Sequence, residues 1–490
     1  MYLLDNTKYQ PVKDPNLSPL RTKNKKLPIA ERLSSFHEIE QTYSQNEADC
    51  ESHRCFKCPT HWCENHCPAG VPIPEFIEKI REGALEDAYR LIRSKSAFPE
   101  ICSRVCPQEK QCQSECTRSI MGEAVGIGRL ERFVAEQHYA NGDIEPQVPA
   151  TGKRVAVIGS GPSGLSVAQF LSNLGHSVTV FEKNDRAGGL MEYGIPSMKL
   201  DKHIVARKVS ALQKQGVRFE LGVCVDSVQN AQSLLREYDA VVLCIGAGVP
   251  RTITPEGSEG VKDIIPAVEY LSAATRTWIG AQCEPDPRLL ATNKNVVILG
   301  GGDTGNDCVG TALRQKCRSV TQLEMLPRLT GKTVIQDPIP HRPKEQKQDP
   351  SQLEYLNVFC KEPQIYQATV KRVHCDGSGA LCALTLVHLE PREGAQGRME
   401  MVEVSGTERV IPCEMLIVAA GFLGPEASLA QAFGIETDER SNFKCNRNAT
   451  AQEKVFACGD CRTGQFLVVK AMVDGRQCAQ AVHEFLCGTV

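Results

Sequence analysis

Lys153-Arg154-Val155-Ala156-Val157-Ile158-Gly159-Ser160-Gly161-Pro162-Ser163-Gly164 decides how this chain is read. Its first six residues form an apolar run suited to a strand buried in a parallel sheet, and three glycines at G-x-G-x-x-G spacing follow at once. Leu165 to Leu174 continues as an apolar helix, and Ser177-Val178-Thr179-Val180-Phe181-Glu182 as a second strand ending in an acid 18 residues after Gly164. Each part has a mechanical reason. The first glycine permits the tight turn, the second lets backbone approach a pyrophosphate, and the third lets the helix close on the strand. The pyrophosphate then meets the positive end of the helix dipole, and the strand-end acid takes ribose hydroxyls.

One such motif is weak support for a dinucleotide site, but here the whole unit recurs. Asn295-Val296-Val297-Ile298-Leu299 is the strand, Gly300-Gly301-Gly302-Asp303-Thr304-Gly305 the turn, and Ser319 to Glu324 the second strand, its acid 19 residues after Gly305. Two units in register predict two Rossmann-like domains and two dinucleotides. The economical pair is a tightly held flavin and a diffusing nicotinamide; spacing alone does not say which unit holds which.

Upstream lies a different chemistry. Nine of the 23 cysteines fall between Cys50 and Cys116. Cys55, Cys58, Cys63 and Cys67-Pro68 are close to the ferredoxin run C-x2-C-x2-C-x3-C-P, whose fourth cysteine reaches a second iron–sulfur cluster. Cys102, Cys106-Pro107, Cys112 and Cys116 form the answering group. Zinc sites favour two C-x2-C pairs across a loop, and only Cys55 and Cys58 have that spacing. Between the groups, Ile77, Ile80, Ala84, Ala88, Leu91 and Ile92 recur at helical steps after Pro74, with a break near Gly83 and an end near Phe98-Pro99. The cysteines are therefore expected on the loops and ends of a small helical domain.

The 490 residues leave room for about three domains. A net charge of −3 offers no field for nucleic acid or an anionic membrane. No secretory leader is apparent, and no apolar run approaches the roughly 20 residues of a spanning helix. These features point to a soluble protein of a reducing compartment, with cysteines as thiols or metal ligands. Residues 1 to about 35 read as a polar arm over the surface or over a partner, Asn141 to Pro149 as a linker, and residues 327–352 as a surface excursion. Ala368 to Val404 alternates like antiparallel strands around a turn at Asp376-Gly377-Ser378-Gly379. Glu453 to Cys458 is a strand delivering Gly459-Asp460, followed by a helix from about Gln465 toward Phe485. Cys458-Gly459-Asp460-Cys461 is formally a C-x-x-C, but a strand that buries Cys458 argues against a working dithiol.

Arg186-Ala187-Gly188-Gly189-Leu190-Met191-Glu192-Tyr193-Gly194-Ile195-Pro196, Gly300 to Cys308, Ala419 to Pro425 and Gly459-Asp460 carry a family resemblance. From about Cys50 to Val490 the chain resembles the small (beta) subunit of glutamate synthase, and the same module resembles the N-terminal half of dihydropyrimidine dehydrogenase. Similarity is least at 327–352. The resemblance implies an α/β chain: an arm at 1–35, a helical [4Fe-4S] domain at 36–146, an FAD domain at 147–252 and 418–490, and an NAD(P)H domain at 253–417 interrupting it.

It also implies the sites. FAD would be held by Gly159, Gly161, Pro162, Ser163, Gly164, Glu182, Gly189, Leu190, Gly246, Gly459 and Asp460. NAD(P)H would be held by Gly300, Gly302, Asp303, Thr304, Gly305, Glu324 and Arg328. Cys55, Cys58, Cys63 and Cys116 would ligate one [4Fe-4S] cluster; Cys67, Cys106, Cys112 and Glu131 would ligate another, leaving Cys50 and Cys102 as incidental thiols. Glu324, where NADPH-using relatives place arginines, leans the choice to NADH, while Arg328 could still clamp a 2′-phosphate. No side chain is expected to act as a catalytic acid or base, because hydride transfer to a flavin needs stacking and positioning. The implied activity is NAD(P)H oxidation, with electrons passing through FAD and two clusters to a partner. That partner would be the FMN-containing glutamate synthase large subunit, in the cytoplasm. The alternatives are a stand-alone or bifurcating NAD(P)H:ferredoxin-type oxidoreductase and an electron-transfer scaffold without turnover.

Overall fold

A computed structural model describes residues 12–142, 148–281, 284–328, 349–394 and 399–488. The two glycine units each nucleate a five-stranded parallel sheet. In the first, Val455–Ala457, Ala240–Leu243, Arg154–Ile158, Ser177–Glu182 and Arg218–Leu221 lie side by side in that order. In the second the order is Ile264–Pro266, Met415–Val418, Asn295–Leu299, Ser319–Glu324 and Gln364–Tyr366. Both carry the glycine-turn strand at the centre, as short crossover connections through helices require. The strand Val455–Ala457 is shorter than the sequence suggests and enters the first sheet only after the chain has completed the second. The first Rossmann-like domain is thus interrupted by the second.

Residues 368–412 form an antiparallel appendage to the second domain, with Ala368–Cys375 paired to Leu381–Glu393 across the Asp376–Gly379 turn. Most of the 327–352 excursion lies outside the described residues. Its end, Asp349, caps the helix Pro350–Phe359 with a reciprocal bond to Gln352.

The N-terminal domain is helical. Ile73–Arg81 and Leu85–Arg93 break at Gly83, and Pro99 opens the helix Pro99–Val105 rather than closing one, because its missing N–H costs nothing in a first turn. Consequently Cys102 sits within a helix, as does Cys50, and not on a loop or end. Phe76, Ile77, Phe133 and Val134 form a core continuous with Leu165 and Met472 of the first Rossmann-like domain, so these two units pack as one body.

The described part of the arm is pinned to its own chain. Asn16 donates to the His53 carbonyl (2.9 Å), Thr22 N–H to Glu51 (2.6 Å) and Ile39 N–H to the Met198 carbonyl (3.0 Å). Arg314 and Lys316 of the second Rossmann-like domain donate to the carbonyls of Ser35 and Leu33. Residues 16–39 therefore strap all three domains together.

An ion-pair network joins the helical domain to the first Rossmann-like domain. Glu136 accepts from Arg104 at 2.8 Å and from both terminal nitrogens of Arg207 at 3.0 Å, with Arg207 stacked 3.9 Å over the Tyr139 ring. Glu38 takes the other side of Arg104 (2.6 Å) and Arg132 (2.7 Å). Among the described residues no helix is long and apolar enough to cross a membrane.

Candidate cofactor and cluster sites

The glycine roles read from sequence have a direct geometric test. A Cβ on Gly159, whose φ is +98°, would stand 2.5 Å from the Cys244 carbonyl oxygen. One on Gly164 would stand 2.0 Å from the Gly159 oxygen, while one on Gly161 would meet nothing within 4 Å. The second unit repeats this: Gly300 (φ +131°) faces the Ala419 oxygen at 2.5 Å, Gly305 faces the Gly300 oxygen at 2.0 Å, and Gly302 is open. In both units the first and third glycines are required by the fold. The open second glycine leaves room for a pyrophosphate at the N-terminus of Pro162–Asn173 or Asp303–Arg314.

In the first unit Glu182 accepts Ser160 N–H (3.0 Å), Ser160 O–H (2.5 Å) and two donors of Asn184 (2.9 and 2.7 Å). It thus braces the turn. Ser160 Oγ in turn accepts Gly188 N–H at 2.9 Å, and a Cβ on Gly189 would come 2.8 Å from Gly161 Cα, so the Gly188-Gly189-Leu190 segment closes directly over the turn. Gly246 follows the neighbouring strand with open space around it. Asp474 accepts Gly459 N–H at 2.7 Å and pairs with Arg462, which fixes the Gly459-Asp460 corner. Burial pushes the Asp460 carboxyl up to about 7 despite a bond from Phe466 N–H. Ser160 and Asp474 were missed by motif reading; an acid between Val473 and Gly475 on an otherwise apolar helix was the available signal.

The helix after this corner begins at Val468, after a four-residue helical turn at Asp460–Thr463. It packs on Pro162–Asn173 so closely that a Cβ on Gly475 would be 2.4 Å from the Ser163 oxygen.

In the second unit Glu324 lies against Gly301, where a Cβ would sit 2.0 Å from its Oε2. Arg328 is engaged bidentately by Glu362 at 3.0 and 3.1 Å. The acid therefore faces the turn, while the one cation singled out for a 2′-phosphate is held by a carboxylate.

The cysteines are brought into two cavities. Cys55, Cys58, Cys63 and Cys116 line one of about 340 Å³ including its mouth, with Phe56, Trp62, Thr117 and Arg118 around them. Cys67, Cys106, Cys112 and Glu131 line the other, of about 430 Å³, together with Cys102 and Val469. Burial pushes the Cys55 thiol up to about 11 and Cys112 well above its ordinary range. Metal coordination reverses that, since a coordinating thiol is deprotonated outright. Burial, with a smaller push from Glu100, raises the Glu131 carboxyl to about 8. Such a group is costly as a bare carboxylate and suits a site where iron supplies the charge.

No three of these cysteine sulfurs lie within 4.8 Å of one another. Four thiolates around one zinc stand about 3.8 Å apart, given Zn–S bonds of about 2.3 Å. Among the described residues only His61, Glu64 and Glu75 converge three ligand atoms within 4.8 Å. The wider spacing of the cysteine sulfurs suits a polynuclear cluster better than a single zinc ion. The C-x-x-C sulfurs, both buried, have separate partners: Cys458 meets Cys244 Sγ at 3.4 Å, and Cys461 donates to the Leu243 carbonyl.

Comparison with known proteins finds relatives for the helical domain and for the Rossmann-like domains. Residues 32–143 match the family described as dihydropyrimidine dehydrogenase domain II, 4Fe-4S cluster, and residues 153–341 and 385–480 match pyridine nucleotide-disulphide oxidoreductase. The chain is 35% identical to the glutamate synthase [NADPH] small chain of Bacillus subtilis, over 94% of this chain and 95% of that one. It is 34% identical to the glutamate synthase [NADH] of Schizosaccharomyces pombe, over 92% of this chain and 22% of that one. Among solved structures, Mycobacterium tuberculosis FprA in complex with NADPH superposes with a TM-score of 0.53 at 15% identity, covering 70% of this chain and 85% of that one, a likeness of fold.

Proposed function

This chain belongs to the pyridine nucleotide-disulphide oxidoreductase and glutamate synthase small-chain families, as an NAD(P)H-dependent FAD and iron–sulfur oxidoreductase, and from that premise we propose that it is the electron-input subunit of a glutamate synthase. The first glycine unit takes FAD and the second the nicotinamide. Cys55, Cys58, Cys63 and Cys116 hold one [4Fe-4S] cluster, and Cys67, Cys106, Cys112 and Glu131 hold a second. The bound flavin supplies the conversion between a hydride and single electrons.

One observation carries the reading. The helix Val468–Cys487 touches both chemistries: Val469 lines the Glu131 cavity, and one turn later the Met472 carbonyl accepts Ser166 Oγ, from the FAD-turn helix, at 2.7 Å. Three residues of helix span about 4.5 Å, so the dinucleotide turn and the second cavity are neighbours. Cys63, on the short helix Trp62–Asn65, and Cys67, two residues past its end, then join the first cavity to the second. Trp62, which lines the first cavity, is exposed, as are Ile120 and Met121 at the end of the turn that begins with the lining residues Thr117 and Arg118, which supports an exit toward a protein partner there. The partner is the FMN-containing large subunit that forms glutamate, and the compartment is the cytoplasm. Glu324 against the turn and Arg328 held by Glu362 favour NADH over NADPH.

The test is reconstitution. With the purified large subunit, NADH oxidation by this chain becomes coupled to glutamate formation, whereas the chain alone reduces only artificial acceptors. Recovery of a ferredoxin in place of a large subunit on co-purification would overturn the assignment of partner.

A further inference from the structure

Arg118 is a buried guanidinium with hydrogen-bond donors to spare. It lines the first cysteine cavity and is 2% exposed. Nη2 donates to the Ser18 carbonyl of the arm, and the Phe56 ring lies 4.8 Å from Cζ, offering a π-face but no lone pair. Nε and Nη1 are shut off from solvent and have no hydrogen-bond partner among the described residues, and no carboxylate there forms an ion pair with the charge. Glu115, the one carboxylate that lines the cavity, is held instead by Ser114 Oγ at 3.1 Å. The neighbouring buried Arg54 shows the contrast. It is paired with Glu51 at 2.8 Å and donates to the carbonyls of Glu123 (2.7 Å) and Ala124 (3.3 Å). A buried arginine left as Arg118 is costs free energy unless an anion faces it.

Resting on the two-cluster reading above, we propose that Arg118 is the hydrogen-bond donor and counter-charge of the first cluster, held by Cys55, Cys58, Cys63 and Cys116, and that it raises the reduction potential of that cluster. The chemistry is electrostatic. Four thiolates leave an iron–sulfur cluster negative, and reduction makes it more so. A fixed positive charge with free N–H groups therefore stabilises the reduced form most, and net charge and hydrogen bonds to sulfur are among the factors that set cluster potentials. Donors that carry a charge are the stronger ones. No arginine lines the second cavity, so the effect falls on one cluster. Electrons that reach the second cavity are thereby drawn on to the first. The fold does not depend on Arg118 to satisfy the arm, because the Ser18 carbonyl also accepts Arg54 Nε at 3.3 Å.

Anaerobic EPR redox titration of the holoprotein tests this. Arg118→Met lowers the midpoint of one cluster by about tenfold in the reduced-to-oxidised ratio at fixed potential, or about 59 mV for one electron. Arg118→Lys, which keeps the charge, lowers it less than half as far. The other midpoint stays, and the shift is the same at low and high salt, because a buried charge is little screened. In the Glu131→Ala background, where the second cluster is removed, the remaining signal still carries the shift. Should Arg118→Met fail to load iron, Arg118→Gln, neutral but polar, lowers the same midpoint in its place. An unmoved or raised midpoint, an equal fall in both clusters, a shift absent from the Glu131→Ala background, or a lysine variant that falls as far as the neutral ones overturns the inference. Loss of iron from both neutral variants also overturns it, by making Arg118 a requirement for assembling the site and not for its potential. Absence of two cluster signals in the parent protein would instead defeat the two-cluster reading itself.

Discussion

Glu136 is one of the points at which the helical domain is held to the first Rossmann-like domain, and its removal has a calculable cost. Burial alone would push its carboxyl up, but Arg207 and Arg104 outweigh that and hold it at about 2, against an ordinary value near 4.5. That difference is worth about 3 kcal/mol of folded-state stabilisation at neutral pH. Glu136→Gln is therefore predicted to lower the stability of the holoprotein by about 3 kcal/mol, within the range for breaking one partner of a buried pair. The sign fixes the pH dependence. A depressed carboxyl contributes fully above its unfolded value and loses its contribution only as pH falls from about 4.5 to about 2. The deficit of Glu136→Gln should thus be flat from about pH 5 to pH 8. Anaerobic urea unfolding, followed by loss of flavin and cluster absorbance, measures it. A deficit below about 0.5 kcal/mol would place Glu136 among exposed ion pairs of little consequence, and a deficit that grows or shrinks across that range would refute the pairing argument.

Four other outcomes follow from the same geometry. Glu131→Ala should lose the signal of one cluster in EPR and about half the iron, while flavin content is retained; full iron retention would remove Glu131 from the ligand set. Gly302→Ala, with open space around the new methyl, should fold normally and weaken nicotinamide binding, read as a raised KM for NADH. Gly305→Ala, facing a carbonyl oxygen at 2.0 Å, should cost expression or stability instead. Glu324→Gln should raise the NADPH-to-NADH ratio of kcat/KM on the order of tenfold, about 1.4 kcal/mol, and an unchanged ratio would show that this acid does not choose the nicotinamide.

The dinucleotide units were legible because each of their requirements is local. Gly159, Gly164, Gly300 and Gly305 answer to a turn and a carbonyl a few residues away, or to the strand alongside, and a period-coded strand and helix flank them. The two cysteine groups were legible as metal chemistry from spacing, but their division between cavities was not. Cys116 joins Cys55, and Cys106 joins Cys67, only through the way Pro99–Val105 and the following loops fold back, so the resemblance to a family supplied that pairing. Glu131 looks in sequence like any helical glutamate; burial against the second cavity is what distinguishes it. Ser160, Asp474 and the Arg104–Glu136–Arg207 network act across long stretches of chain and left no local signature. Pro99 misled for a related reason, since proline ends one helix as readily as it opens the next. The arm reads as polar and loose, and its tethers are backbone groups that composition does not register.

The central claim is that one chain carries electrons from a nicotinamide through FAD to two clusters. Anaerobic reductive titration of the purified holoprotein with NADH, followed by visible and EPR spectra, tests it most directly. The account predicts bleaching of the flavin band and two distinguishable [4Fe-4S] sites on full reduction, with one of them missing in Glu131→Ala. A chain that binds zinc in place of iron, or one whose flavin stays oxidised under NADH and NADPH alike, would contradict it.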